Sequence, residues 1–200
     1  MSAQLEFWFE YGSTYTYLSV ARIGSVAAQA GVHVLWKPFL LMPLLVKAGL
    51  PEGPFLPFPA KMQYMWRDLE RRARLHGLPY KRPSVYPPNT LQTARVGLLA
   101  AAEGWCADFT TAVFNRHWTR DVIIGTPQNL RDSLAEVGRD ADEIIARAES
   151  AENKAALRNQ TEEAQRRGLF GSPSFMVGTE LFWGDDRLDD AVACAVGSPN

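Results

Sequence analysis

Cysteine is nearly absent: the 200 residues hold two, Cys106 and Cys194, far apart and outside any CxxC spacing. That count excludes a disulfide framework and a dithiol redox motif, and it fits a reducing compartment with both thiols buried as small apolar groups. Histidine is scarce as well, and His33, His76 and His117 show no metal-ligand spacing. There is no GxGxxG, no phosphate loop and no GxSxG elbow, so nucleotide binding and an α/β-hydrolase triad have no support. Excess charge of one sign is also missing. A formal net charge of -1 argues against a dedicated nucleic-acid or anionic-membrane surface. No apolar run reaches the roughly 18 residues that a membrane span needs. The first residues, MSAQLEFWFEYG, mix acidic and polar groups into an apolar run with no basic flank, unlike a secretory signal. The expectation is a cytoplasmic, soluble protein with no bound metal, no nucleic-acid partner and no membrane partner.

What is present is ordinary globular material, 46% apolar and 22% charged, in a chain long enough to bury a core without staples. Leu5, Phe7 and Phe9 alternate with Glu6, Trp8 and Glu10, which predicts a strand. Gly12 and Ser13 break it, and a helix follows from about Thr14 to Ala30, stopped by Gly31. Val32 to Trp36 predicts a second strand. Phe39 to Pro59 reads as an ordered loop or short helices. Six helical patterns come next: one through Met62, Trp66, Leu69 and Ala73 ending at Gly77, one over about Thr90–Glu103, and one over about Ala107–Trp118. The last three start at Thr126-Pro127, at Asp140 with Glu143 as a capping box, and at Ser150. The period then shortens. Ser174–Val177 and Glu180–Phe182 predict two short strands around a Gly178-Thr179 turn, and a final helix runs from near Arg187 to about Val196.

Three stretches carry possible chemistry. In FWFEYGSTYTYL (7–18), Ser13 sits where a strand turns into a helix, next to unpaired backbone N–H groups and the positive end of the helix dipole. It is either an N-cap or a donor to an anion such as a thiolate. In FGSPSFMVGTELFWGDDRL (170–188), Pro173 precedes a strand and Ser172-Pro173 is a candidate cis bond, against an ordinary trans proline at a strand start. Asp185 and Asp186 either complement a helix dipole or accept a ligand ammonium. In AKMQYMWRDLERRARLHGLP (60–79), the charged run reads most simply as a solvated helix face with i,i+4 pairs. Lys61 at its start is placed to reach a carboxylate.

These stretches, with YMWRDLERRARLHGLPYKRPSVYPPNTLQTAR (64–95), resemble the bacterial 2-hydroxychromene-2-carboxylate isomerases and the related kappa-class glutathione transferases, over essentially the whole chain. The resemblance implies an α/β fold in which a thioredoxin-like domain (1–40 and 150–200) is interrupted by an all-helical domain (41–149). It implies a homodimer with glutathione as cofactor and a small aromatic substrate. It also implies that Ser13 stands where the oxidoreductase branch carries its attacking cysteine, and that Pro173 is cis. Ser172 would then pair with the cysteinyl backbone of glutathione, Asp185 and Asp186 would hold its γ-glutamyl end, and Lys61 would lie near its glycyl carboxylate. Three positions depart from the family pattern: Thr14 replaces a usual proline, Leu50 a frequent asparagine, and Met42-Pro43 a frequent glycine.

The chemistry expected of such a site follows from thiol ionisation. A free thiol with a pKa near ~8.5 is only about 3% thiolate at pH 7, and lowering that pKa by about two units requires roughly 2.7 kcal/mol. A hydroxyl donating to an anion supplies about 1.5–3 kcal/mol, and a helix dipole about 0.3–1. Ser13 and its helix suffice in magnitude, with no covalent change to Ser13. The expected reaction is cis-trans isomerisation: the thiolate adds to an unsaturated carbon, the former double bond rotates, and it re-forms as glutathione leaves. The alternatives are a transferase that consumes glutathione and a non-catalytic peptide-binding module.

Overall fold

A computed structural model describes residues 3–197. The chain opens with β1 (Gln4–Phe9), α1 (Thr16–Gln29) and β2 (His33–Pro38), and β2 pairs parallel to β1 with Gln4 opposite His33 and Phe9 opposite Pro38. A block of helices follows: α2 (Leu41–Lys47), α3 (Pro59–Leu75), α4 (Leu91–Glu103), α5 (Cys106–Arg120), α6 (Pro127–Glu136), α7 (Ala141–Ala148) and α8 (Ala151–Arg166). The chain then returns to the sheet as a hairpin of β3 (Ser174–Val177) and β4 (Glu180–Trp183). It ends with a 3-10 turn (Asp185–Arg187) and α9 (Leu188–Ala195). Strand order is β2-β1-β3-β4, with β3 antiparallel to both β1 and β4.

A parallel pair joined by a helical crossover needs cover on both faces of its sheet, and β1 shows why one strand here is apolar on both sides. Leu5, Phe7 and Phe9 are fully buried on one face, where Phe7 stacks on Phe9 at 4.9 Å and on Phe175 at 5.4 Å. Trp8 points the other way and is equally enclosed, in a second cluster with Phe39, Leu44, Leu169 and Met176. The alternation read from the sequence therefore grouped Trp8 with the polar residues wrongly. Its indole packs in that cluster and spends its N–H on Glu6, at 2.8 Å.

The helix starts read from capping residues stand where the caps place them. Thr126, Asp140 and Ser150 accept from the N–H groups of Asn129, Glu143 and Asn153. The capping box at Asp140 is only half made, because the Glu143 carboxylate turns to Arg147 at 3.4 Å instead. At α1 the sequence placed the start two residues early. The helix begins at Thr16, its capping position is Tyr15, and no side chain caps it, so Ser13 is not an N-cap.

Among the described residues, 41–149 contribute α2–α7 and no strand. We propose these residues as the inserted unit, with 1–40 and 150–200 forming the thioredoxin-like part, of which 1–2 and 198–200 lie outside the described residues. The insertion holds in chain order, while the apolar core is shared: Leu5, Phe7 and Phe175 of the sheet lie in one cluster with Phe109, Phe114, Leu130 and Ile144 of the helices. Gly97 of α4 makes one such contact possible, because an added Cβ there would collide with the Tyr11 hydroxyl. That hydroxyl bonds Thr110 Oγ1 of α5 at 2.9 Å. Helix α8 is tied to the end of β2 by Leu40 N–H donating to Thr161 Oγ1 at 3.1 Å and by Gln160 Nε2 donating to the Pro38 carbonyl at 2.5 Å.

Candidate active site

After Phe9 the chain leaves the sheet and folds back on itself, with Ser13 N–H donating to the Glu10 carbonyl at 3.2 Å. The turn delivers Ser13 to the loop ahead of β3. There the Ser172-Pro173 peptide is cis, Pro173 is buried, and the Pro173 carbonyl accepts from Gly184 N–H at 3.0 Å. Tyr86-Pro87 is a second cis bond, which the sequence did not signal. The Ser13 hydroxyl donates to the Ser172 carbonyl at 2.8 Å. The Ser172 hydroxyl accepts from Glu10 N–H at 2.9 Å and shares a 2.9 Å bond with Thr16 Oγ1. Two stretches about 160 residues apart are thus stitched by three hydrogen bonds at the start of α1, where the Tyr17 and Leu18 N–H groups donate to the Thr14 and Tyr15 carbonyls.

The aspartates separate in role. Asp185 is buried, and its carboxylate is taken by Arg72 of α3, with Nη2 at 2.6 Å and Nε at 2.8 Å. Burial pushes the Asp185 carboxyl above its ordinary range, and the Arg72 guanidinium pulls it partly back. Asp186 is half exposed and meets Arg187 Nη2 at 3.1 Å. It folds over Gly184, whose φ of 111° and lack of a Cβ admit the Asp186 Oδ1, which would lie 2.5 Å from any side chain there. The sequence reading gave both aspartates to one ligand group; each pairs with an arginine here, Asp185 buried against Arg72 and Asp186 half exposed beside Arg187. Lys61 lies exposed in the first turn of α3, its Nζ over Phe55 at 5.3 Å and Phe58 at 6.0 Å. No hydrogen bond among the described residues joins it to Ser13 or Ser172.

The charged run on α3 is in part the solvated face expected, with Arg67 and Arg74 pairing Glu70. Asp68 and Arg72, one turn apart, face the site instead. Asp68 accepts from the Tyr15 hydroxyl at 2.9 Å, so α3 grips both the head of α1 and the Asp185 turn. Burial, with Asp68 beside it, holds the Tyr15 phenol protonated well above its ordinary range. The sequence gave no signal for these pairs, nor for Glu10, whose carboxylate accepts from Gly12 N–H at 2.7 Å and Thr90 Oγ1 at 2.5 Å. Two clefts open elsewhere, of about 760 Å³ beside Trp66 and Arg82 and about 1020 Å³ along β2, and neither is lined by Ser13.

The cysteines stand apart from this site. Burial pushes the Cys106 thiol up to about 12, and its Sγ lies 3.6 Å from Thr110 Oγ1. Replacing both cysteines by alanine should leave turnover unchanged and cost stability on the order of 1 kcal/mol, mostly at buried Cys106. A folded double variant with abolished turnover would refute this. Among the described residues no cluster of histidine, cysteine and carboxylate could hold a metal, and no helix is long and apolar enough to cross a membrane.

A four-stranded mixed sheet flanked by helices, with a cis-proline loop facing the head of the first helix, defines a thioredoxin-type fold with Ser13 at that junction. The chain belongs to the DsbA-like thioredoxin domain family, whose model matches residues 4–193. Among curated proteins it is 27% identical over 189 residues to the 2-hydroxychromene-2-carboxylate isomerase of Sphingobium xenophagum, covering 94% of this chain and 96% of that one. It is 30% identical over 198 residues to glutathione S-transferase kappa 2 of Caenorhabditis elegans, covering 92% and 88%. Among solved structures, a 2-hydroxychromene-2-carboxylate isomerase superposes with a TM-score of 0.86 at 26% identity, covering 97% and 94% of the two chains.

Proposed function

We propose that this chain is a cytoplasmic glutathione-dependent isomerase that uses a bound glutathione thiolate to catalyse cis-trans isomerisation of an unsaturated aromatic acid, 2-hydroxychromene-2-carboxylate or a close analogue. The observation that carries the proposal is the Ser13 hydroxyl facing the Ser172 carbonyl at 2.8 Å across a cis proline. On this reading the Ser172 carbonyl accepts the cysteinyl N–H of glutathione, Pro173 fixes the strand-like path, and the Ser13 hydroxyl turns from the carbonyl to the sulfur. Asp186 takes the γ-glutamyl ammonium, Asp185 holds the turn that presents Asp186, and Lys61 reaches the glycyl carboxylate. The thiolate forms a C–S bond to the unsaturated carbon while the π pair moves onto the conjugated carbonyl. Rotation follows about the new single bond. The pair then returns, the C–S bond breaks, and the thiolate leaves unchanged. Homodimerisation belongs to the same proposal.

The 30% identity to a kappa-class transferase favours a second reading, conjugation of glutathione to an electrophile. Stoichiometry separates the two: with substoichiometric glutathione, an isomerase converts all of its substrate and returns the thiol, whereas a transferase stops when the thiol is spent. Absence of glutathione binding by calorimetry would overturn both.

A further inference from the structure

We propose that Glu10 is a positioning residue that clamps the Ser13 turn through its carboxylate and its own peptide group, and that protonating the carboxylate loosens the clamp. The inference rests on the proposed use of glutathione for its consequence in turnover, while the clamp itself is a property of this chain.

Glu10 reaches three segments at once. Its carboxylate oxygen Oε2 accepts from Gly12 N–H at 2.7 Å, and Oε1 accepts from Thr90 Oγ1 at 2.5 Å, at the head of α4. Its carbonyl accepts from Ser13 N–H at 3.2 Å, and its N–H donates to Ser172 Oγ at 2.9 Å. One residue therefore fixes both neighbours of the Ser13–Ser172 bond and anchors them to the helical insertion. Gly12 fits this arrangement, since an added Cβ would lie 3.0 Å from Oε2.

The other titratable groups facing Glu10 are the phenols of Tyr11, adjacent in sequence, and Tyr86, on the segment before α4. Both are pushed above the ordinary phenol range by burial. No basic side chain pairs with the Glu10 carboxylate among the described residues. Burial raises its pKa above the ordinary 4.5, against the bonds from Thr90 and Gly12 that favour the charged form. An acid with a raised pKa gains its proton sooner as pH falls. The gained proton turns one acceptor oxygen into a donor, so Thr90 must reverse its bond and the Gly12 bond loses its charge assistance. The Ser13 turn is then held by weaker contacts on the acid side of Glu10's titration.

The test compares Glu10→Ala, Glu10→Gln and Thr90→Val in two measurements. The first, with no glutathione added, is hydrogen exchange of the Gly12 amide. It should speed up by an order of magnitude or more in Glu10→Ala, where the acceptor is gone, and by less in Glu10→Gln, whose amide oxygen still accepts but without charge assistance. The second is the pKa of the glutathione thiol in the complex, followed by thiolate absorbance. It should rise by about one unit in Glu10→Ala and by less in Thr90→Val and in Glu10→Gln, whose neutral amide stands in for the protonated carboxyl, as loss of a positioned charge-assisted donor requires. The acid limb of kcat/KM should carry one ionisation fewer in Glu10→Gln than in wild type. A folded Glu10→Ala with wild-type values in both measurements would overturn the clamp. Should Glu10→Ala not fold, wild-type values in Thr90→Val together with an unchanged acid limb in Glu10→Gln would overturn it equally. If the wild-type chain fails to bind glutathione, the proposed function falls, and the exchange measurement still decides the clamp.

Discussion

Ser13→Ala lowers turnover at pH 7 by roughly ten- to hundredfold and leaves the fold intact, if the proposed mechanism holds. The fold survives because Ser13 does not cap α1. Its hydroxyl makes one half-buried bond, to the Ser172 carbonyl, and a neutral bond of this kind contributes only about 0.5–1.5 kcal/mol. Against a thiolate the same hydroxyl contributes about 1.5–3 kcal/mol, because the acceptor is charged. Removing it raises the pKa of bound glutathione by about one to two units, and each unit lowers the thiolate fraction about tenfold when the pKa lies above the working pH. The sign is that of an acid losing a stabiliser of its charged form, so the deficit is largest at neutral pH and shrinks as pH rises toward the shifted pKa. Glutathione affinity falls only modestly, since the Ser172 peptide and Asp186 remain. Titrating thiolate absorbance against pH in the two complexes reads the shift directly. Identical bound-thiol pKa values would mean that Ser13 serves only to tie its turn to the Ser172 loop.

Local features of the fold were legible in the sequence wherever a short-range rule determined them. The switch from period two to period 3.6 and back located β1, the helices and the β3–β4 hairpin. Capping chemistry located the starts of α6, α7 and α8 at Thr126, Asp140 and Ser150. The start of α1 was misplaced because Thr14 and Tyr15 fit a helix pattern, while the bonds from Ser13 to Glu10 and Ser172 hold that stretch in a turn. Trp8 was misassigned because alternation describes a sheet with one dry face, and this sheet has two. At the candidate site, turn and strand punctuation drew attention to Ser13, Pro173 and the Asp185-Asp186 pair, each with a plain structural alternative, and the family resemblance supplied their proposed roles. Their partners carried no such punctuation. Arg72 meets Asp185 across 113 residues, Thr90 meets Glu10 across 80, and Asp68 meets Tyr15 across 53. Separations of that size carry no periodic signal, and a charge on an amphipathic helix looks the same whether it faces water or a buried carboxylate.

Arg72→Met should be the most destabilising single change at the site, by about 3 kcal/mol at pH 7, which is roughly 6–12 °C in Tm for a chain of this length. The estimate sits at the low end for a broken buried pair because the Arg72 side chain keeps 24% of its exposure, against 3% for Asp185. The cost arises at the partner left behind, a carboxylate enclosed at the 3-10 turn with no other cation as close among the described residues. That origin fixes the pH dependence. Burial already raises Asp185 above its ordinary 3.8, and losing Arg72 removes the main opposing influence, so the folded-state pKa rises further. A raised acid pKa means that the folded chain binds more protons than the unfolded chain. The associated stability is therefore present below the ordinary value and lost as pH rises through the folded one. The deficit of Arg72→Met should shrink as pH falls from 7 toward 5, while the other ion pairs on α3, being exposed, contribute little to the difference. Adding Asp185→Asn should restore part of the lost stability at pH 7, because an unpaired amide costs less to bury than an unpaired charge. Glutathione affinity should nevertheless remain low in that double variant, since the turn presenting Asp186 has lost its anchor on α3. Denaturant unfolding of both variants at pH 5 and pH 7 decides the matter. A deficit that is equal at the two pH values, and not relieved by Asp185→Asn, would show that Arg72 acts through packing of its aliphatic stem and not through the charge it neutralises.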